Sequence, residues 1–310
     1  MHAMTSSRNE EYAVGLQPSF PILTVLASGG HTMLLDSRSA VDHVMLADTQ
    51  DIAIGNAIDK VARAVLPPSL LQAPYGRALE HFAFGANICD YSAIYTPPKR
   101  RVDELERRKT KWKWSLGPPL ADSKSAEKSS RRMIYSFGGL LSAVERFMTH
   151  ECNDAGTVNL DLPRSGDQIS LEERKDMAAE FQRVAFEHLA SRILLHLSTI
   201  SPTHPDPTKR EMPTTIVVSG GVASNAFLRH ILRAILDVRG YGCIELSFPP
   251  VELCTDNALM IAWTGWMMYA MGWRSGLEIG PLRKWGMDPK GEDGGILGVG
   301  GWVRDGQVAV

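Results

Sequence analysis

The 310-residue chain is 44% hydrophobic and 22% charged, an ordinary soluble globular balance with enough apolar material for one large domain or two medium ones. Its formal net charge of −2 excludes a global pull toward nucleic acid or membrane. The charge is uneven: Lys99 to Arg132 holds twelve Lys and Arg against five Asp and Glu, a net of +7 that leaves −9 for the remainder.

Residues 1–21 read as a tail. They carry Glu10 and Glu11 and no apolar run, so neither a secretory signal nor the pattern of a mitochondrial presequence is visible. Ile22 to Ala27, Thr32 to Leu35 and Val44 to Ala47 are β-rich runs with tight connections, which predicts an antiparallel meander. Asp51 is placed to cap the first helix, in which Ile52, Ala53, Ala57, Ile58, Val61, Ala62 and Val65 recur at helical spacing until Pro67 and Pro68 stop it. The Pro-, Ser- and Lys/Arg-rich stretch from about 95 to 132 reads as an insertion. A long helix is expected from Leu171 to about Ser198, with Met177, Phe181, Val184, Ala185, His188, Ile193 and Leu197 as its apolar stripe.

Alternation returns near the end. Thr215 to Val218 is strand-like, Asn225 to Val238 is an amphipathic helix, and Cys243 to Phe248 is another strand. The apolar stretch Ala258 to Gly272, capped by Thr255 or Asp256, is shorter than the ~20 residues that span a bilayer and is read as a buried helix. Residues 286–310 read as a second tail around a domain over 22–285. The predicted fold is α/β: a five-stranded mixed sheet with helices on its faces and a helical insertion between Pro67 and Pro213. That is the topology of one lobe of an actin-like or sugar-kinase-like ATPase, a ribonuclease H-like unit.

Two segments repeat one design. Leu26-Ala27-Ser28-Gly29-Gly30 and Val217-Val218-Ser219-Gly220-Gly221 each place Ser-Gly-Gly at the end of an apolar strand. Glycine lets backbone amides approach a phosphate or ribose, and the helix after the second turn adds its N-terminal amides. Tight turns alone would also use these residues, but strand C-termini are where α/β sheets bind ligands. Asp59 either pairs with Arg63 at i, i+4 or accepts ribose hydroxyls. Gly76 precedes a short helix, and Asn225 is a natural helix cap. Trp112 and Trp114, interleaved with Lys111 and Lys113, either stack on bases or dock the insertion onto the body; docking is the preferred reading. The nine histidines form no H-x-x-x-H or H-E-x-x-H pattern, so a self-contained metal site is not expected, and His188 and His196 are read as structural. The four cysteines form no C-x-x-C pair, which fits a reducing compartment.

Five ordered motifs then converge on one family. They are Ser28 to Thr32, Asp51 to Ala62, Tyr135 to Leu140, Ser219 to Asn225, and Phe248-Pro249-Pro250 through Cys254 to Asn257. Together they resemble the tRNA adenosine threonylcarbamoyltransferases, formerly labelled glycoproteases or O-sialoglycoprotein endopeptidases. His31 resembles the bacterial and mitochondrial branch and the run Gly280 to Trp285 is similar to the fungal mitochondrial form, which implies a mitochondrial location, with the cytoplasm as the alternative.

The resemblance implies transfer of threonylcarbamoyl from its adenylate to the adenosine beside the tRNA anticodon. Carried over by position, Leu26, Ala27, Ser28, Gly29, Gly30, Asp59, Gly76 and Asn225 hold the nucleotide, either ATP or threonylcarbamoyl-adenylate. Asp256 is the one ligand this lobe gives to a divalent metal, iron or zinc. The amine nucleophile comes from RNA, so no catalytic side chain is expected. The partners implied are tRNA and the adenylate, and an apolar surface left open by the first lobe suggests a homodimer. The family's two metal-binding histidines precede the first Ser-Gly-Gly, where this chain has a short tail. Asn56 stands where the family has Glu, and Tyr75 where it has the first Gly of a pair. These departures set an alternative beside the enzyme: a non-catalytic relative that binds nucleotide or a partner.

Overall fold

The computed structural model describes residues 20–86, 88, 90–121, 129–153, 155–200, 212–250, 253–254, 258–277, 279–282 and 285–305. Strands β1 (Ile22–Ala27), β2 (Thr32–Ser37) and β3 (His43–Thr49) form the antiparallel meander, with Leu26 opposite Met33 and Leu34 opposite Ala47. The hydrophobic run of β1 is there because it is central. It pairs with β2 on one side and lies parallel to β7 (Thr215–Ser219) on the other.

Helix α1 (Ile54–Val65) buries Ile54, Ala57, Ile58, Val61, Ala62 and Val65 along one stripe, as its spacing predicts. After α2 (Tyr75–Phe84) and the insertion comes β4 (Ile134–Tyr135), which runs parallel to β3. The sheet therefore has six strands, in the order β4-β3-β2-β1-β7-β8, where the sequence predicts five. A two-residue strand carries no periodicity to read. Helix α3 (Gly138–Thr149) leads into a separate hairpin of β5 (His150–Cys152) and β6 (Val158–Pro163).

The 27-residue helix α4 (Leu171–Leu197) is the hub of the core. It packs against α1, α2, α3 and α5 (Ala226–Val238), and Met177, Phe181, Ala185, Phe186 and Leu189 are fully buried. Strand β7, helix α5 and β8 (Glu245–Ser247) complete a parallel crossover unit. The actin-like lobe expected from sequence is the fold observed.

Two local expectations are corrected. Asp51 does not cap α1, whose N-cap is Ala53 with no side-chain bond; the Asp51 carboxylate turns to α3 instead. Helix α6 (Ala258–Ala270) is not buried: Leu259, Ile261, Trp263, Trp266 and Tyr269 are all more than half exposed, and only Met268 is buried. Composition marks such a helix as core, but β9 (Trp273–Ser275) and its partner β10 (Trp302–Arg304) cover little of it. No helix among the described residues is long and apolar enough to cross a membrane.

Candidate functional site

The two Ser-Gly-Gly turns lie side by side because β1 and β7 are parallel neighbours, with Leu26 in register with Ser219. Gly220 has φ +93°, and a Cβ there would stand 2.4 Å from the Ala27 carbonyl oxygen. Only glycine closes the two turns this tightly. Gly55 on α1 does the same from the other side. Its amide donates to the Ser28 carbonyl at 3.1 Å, and a Cβ would fall 2.6 Å from that oxygen. A cavity of about 530 Å³ opens where these turns meet α1 and α2.

Of the residues expected to hold a nucleotide, Gly29, Asp59, Gly76 and Asn225 line this one cavity. Leu26 and Ala27 are β1 residues locked in the ladder, and Gly30 lies outside the lining. Ser28 spends its hydroxyl on the turn, accepting from the amides of Gly30 at 3.3 Å and His31 at 3.0 Å. Asn225 is the predicted cap. Its Oδ1 accepts from the Leu228 amide at 2.9 Å while its Nδ2 donates to Gln182 Oε1 at 3.0 Å. Asp59 is half-buried. Burial pushes its carboxyl above the ordinary range, and the positive charge of Arg63 draws it partly back.

Glu80 is the residue the sequence reading passed over. It is buried, lines the cavity and accepts from the amides of Ala226 at 2.8 Å and Phe227 at 3.2 Å and from the Tyr91 hydroxyl at 3.2 Å. The signal was available, since Glu80 follows Gly76 by four residues and shares its helix face. The consequence is chemical. The first amides of α5, expected to attract an anion, are already satisfied by Glu80 and Asn225. An anionic group in this cavity would meet the glycine turns rather than the helix terminus.

The model of the tRNA N6-adenosine threonylcarbamoyltransferase family matches residues 2–263. The chain belongs to that family. It is 31% identical over 297 residues to the mitochondrial tRNA N6-adenosine threonylcarbamoyltransferase of Schizosaccharomyces pombe, covering 94% of this chain and 59% of the relative. It is 32% identical over 274 residues to the Bartonella henselae transferase, covering 87% and 60%, and 32% identical over 299 residues to that of Rhizobium etli, covering 94% and 63%. The chain thus spans about three fifths of the length of the curated relatives it matches.

The tryptophans of the insertion dock onto α4. Trp114 is 1% exposed and donates from Nε1 to Glu173 at 3.1 Å; Trp112 donates to Asp176 at 2.7 Å. Much of the insertion's charge is also spent on protein partners, Arg100 on Asp103 at 2.9 Å, and buried Glu104 on Arg101 and on Arg239 at the end of α5. His188 and His196 are buried on α4. Burial, reinforced by the charges of Arg192 and Arg101, holds the His188 imidazole well below its ordinary range, and its Nε2 accepts from the Ser136 amide at 3.3 Å. Among the described residues no three His, Cys, Asp or Glu side chains gather into a metal-binding group. Asp256 lies outside the described residues, as does the helix cap expected at Thr255 or Asp256.

Proposed function

We propose that this chain is the nucleotide-binding lobe of a transferase that makes threonylcarbamoyladenosine in tRNA. One observation carries the reading: two glycine turns on neighbouring parallel strands open on a cavity that Asp59, Gly76 and Asn225 also line. In it the Asp59 carboxylate accepts the ribose hydroxyls. Gly29 and Gly76 let backbone approach the sugar and phosphate, and Asn225, fixed by Gln182, shapes the far wall. The ligand is ATP or the threonylcarbamoyl-adenylate.

In the transfer itself the exocyclic amine of the tRNA adenosine attacks the carbamoyl carbon. A C–N bond forms and the C–O bond to phosphate breaks. AMP leaves with the electron pair, and the amine proton passes to solvent. The chain's share of this work is to bind and orient the adenylate, holding reacting groups in place rather than supplying a nucleophile. Family resemblance adds a divalent metal as Lewis acid, with Asp256 as the one ligand from this lobe. The described residues provide no metal-binding group of their own, so no step is assigned to the metal. The partners that go with the reading are tRNA, the adenylate and a second copy of the chain through α6. The location is mitochondrial, as the name of the Schizosaccharomyces pombe relative states for that protein.

The test is expression of this 310-residue chain in cells lacking their own enzyme, followed by mass spectrometry of tRNA nucleosides. Restored threonylcarbamoyladenosine is expected. Its absence, with the protein folded and present, would reject catalysis by this chain and leave the nucleotide-binding relative.

A further inference from the structure

Asp59 and Arg63 stand four residues apart on α1, the spacing at which an acid and an arginine ordinarily pair. Here they do not. Arg63 acts on the Asp59 carboxyl only through space, and its guanidinium lies over the ring of Tyr75, 4.6 Å from the centroid. Tyr75 opens α2, immediately before the cavity-lining Gly76. A Cβ on Gly76 would sit 3.5 Å from Ile58 Cγ2, so the first turn of α2 rests on the α1 residue next to Asp59. An aromatic face holds a guanidinium at least as well as a partly solvated carboxylate one turn away, because the flat ion stacks without losing its hydrated edge. The ring therefore wins the competition for Arg63.

We propose that Tyr75 is a positioning residue of the nucleotide site: by holding Arg63 against its ring, it keeps that cation off Asp59 and leaves the carboxylate open to the ribose hydroxyls. This rests on the nucleotide reading of the cavity. A glycine at this position, as in the family pattern, has no ring to offer, so the device belongs to this chain. The other ionisable groups lining the cavity are Arg77, Glu80 and His81 of α2, the phenol of Tyr91 and the thiol of Cys254. None is changed in the test, so their contribution is common to all variants.

The experiment is isothermal titration of AMP into the full chain at neutral pH. AMP carries the ribose and phosphate that ATP and the adenylate share. Tyr75→Ala lets Arg63 close on Asp59 and is expected to weaken AMP binding roughly three- to fivefold. Tyr75→Phe keeps the ring and the affinity. The deciding protein is the double variant Tyr75→Ala with Arg63→Ala. Removing the freed cation restores affinity if Tyr75 acts through Arg63, whereas a purely structural defect is not rescued by a second truncation. Two results overturn the proposal: Tyr75→Ala binding AMP as tightly as the unmutated chain, or the double variant remaining as weak as Tyr75→Ala. A different result removes the ground beneath it, namely an unmutated chain that takes up no AMP.

Discussion

The carboxylate of Asp51 accepts the backbone amide of Gly138 at 3.0 Å, across 87 positions of chain. It also accepts from the Ser136 hydroxyl at 2.7 Å and the Phe137 amide at 3.0 Å. One side chain thus fastens the β3–α1 connection to the start of α3, and with it a sequence motif that lies outside the lining of the glycine-turn cavity. Burial alone would raise this carboxyl. The hydrogen bonds from Ser136 and from the amides of Phe137, Ile52 and Gly138 together outweigh burial and hold it below the ordinary carboxylate range.

Asp51→Ala is therefore expected to destabilise the fold by about 1–2 kcal/mol, the cost of a lost helix cap at a partly solvated site. The sign of the pH dependence follows from the lowered folded value. The stabilisation is complete above the unfolded carboxyl value of about 4 and is lost as pH falls through the folded one. Urea melts of the two proteins should differ at pH 7 and converge toward pH 3. Curves that stay parallel across that range would contradict the assignment.

Glu80→Ala removes the acceptor for two α5 amides and a tyrosine hydroxyl at a buried site. Unsatisfied buried donors cost about 1–3 kcal/mol in total stability at such positions. Glu80→Gln keeps one oxygen and should recover part of that loss. Thermal unfolding followed by circular dichroism measures both, and equal losses in the two variants would show that the hydrogen bonds are not what Glu80 supplies.

The contrast between Asp51 and Glu80 shows what the sequence could carry. Elements written in periodicity were legible: the β1–β3 meander, the stripe of α1, the length of α4 and the β7–α5–β8 unit. So were the glycine turns, because Ser-Gly-Gly at a strand end has few uses. What stayed hidden depends on partners distant in the chain. Asp51 sits where a cap for α1 belongs, and nothing local says that α3 claims it. Asp59 and Arg63 have the spacing of an ion pair, and only the packing of α2 brings the Tyr75 ring beneath the Arg63 guanidinium. Composition marks α6 as core, yet its exposure follows from what surrounds it rather than from its own residues.

Gly220→Ala should be the most damaging small change near the cavity. It adds a methyl group 2.4 Å from the Ala27 carbonyl oxygen and forces alanine to φ +93°, a conformation that costs of order 1–3 kcal/mol before any clash. The β1–β7 junction must open, so AMP binding is expected to fall at least tenfold together with stability. Gly29→Ala, where a Cβ meets nothing within 4 Å, should leave the fold intact. Calorimetric titration and a melting curve on each variant decide it; a Gly220→Ala protein with unchanged melting would mean the turns are looser than described.

Helix α6 runs from Ala258 to Ala270 without a charged residue, and six of its large side chains, Leu259, Met260, Ile261, Trp263, Trp266 and Tyr269, are between 45% and 76% exposed. At about 150–250 Å² per large side chain, the open apolar area is roughly 700 Å², close to the ~800 Å² that each partner buries in a stable interface. A patch of this size on an isolated chain drives association, and the absence of charge lets two copies meet without like-charge repulsion. Light scattering at tens of micromolar should find a dimer or larger species that dissociates on dilution. Replacing Ile261 and Trp266 by Glu together should yield a monomer with an unchanged melting temperature, because neither side chain is buried. A monomer from the unmutated chain at the same concentration would mean that this face does not associate with itself.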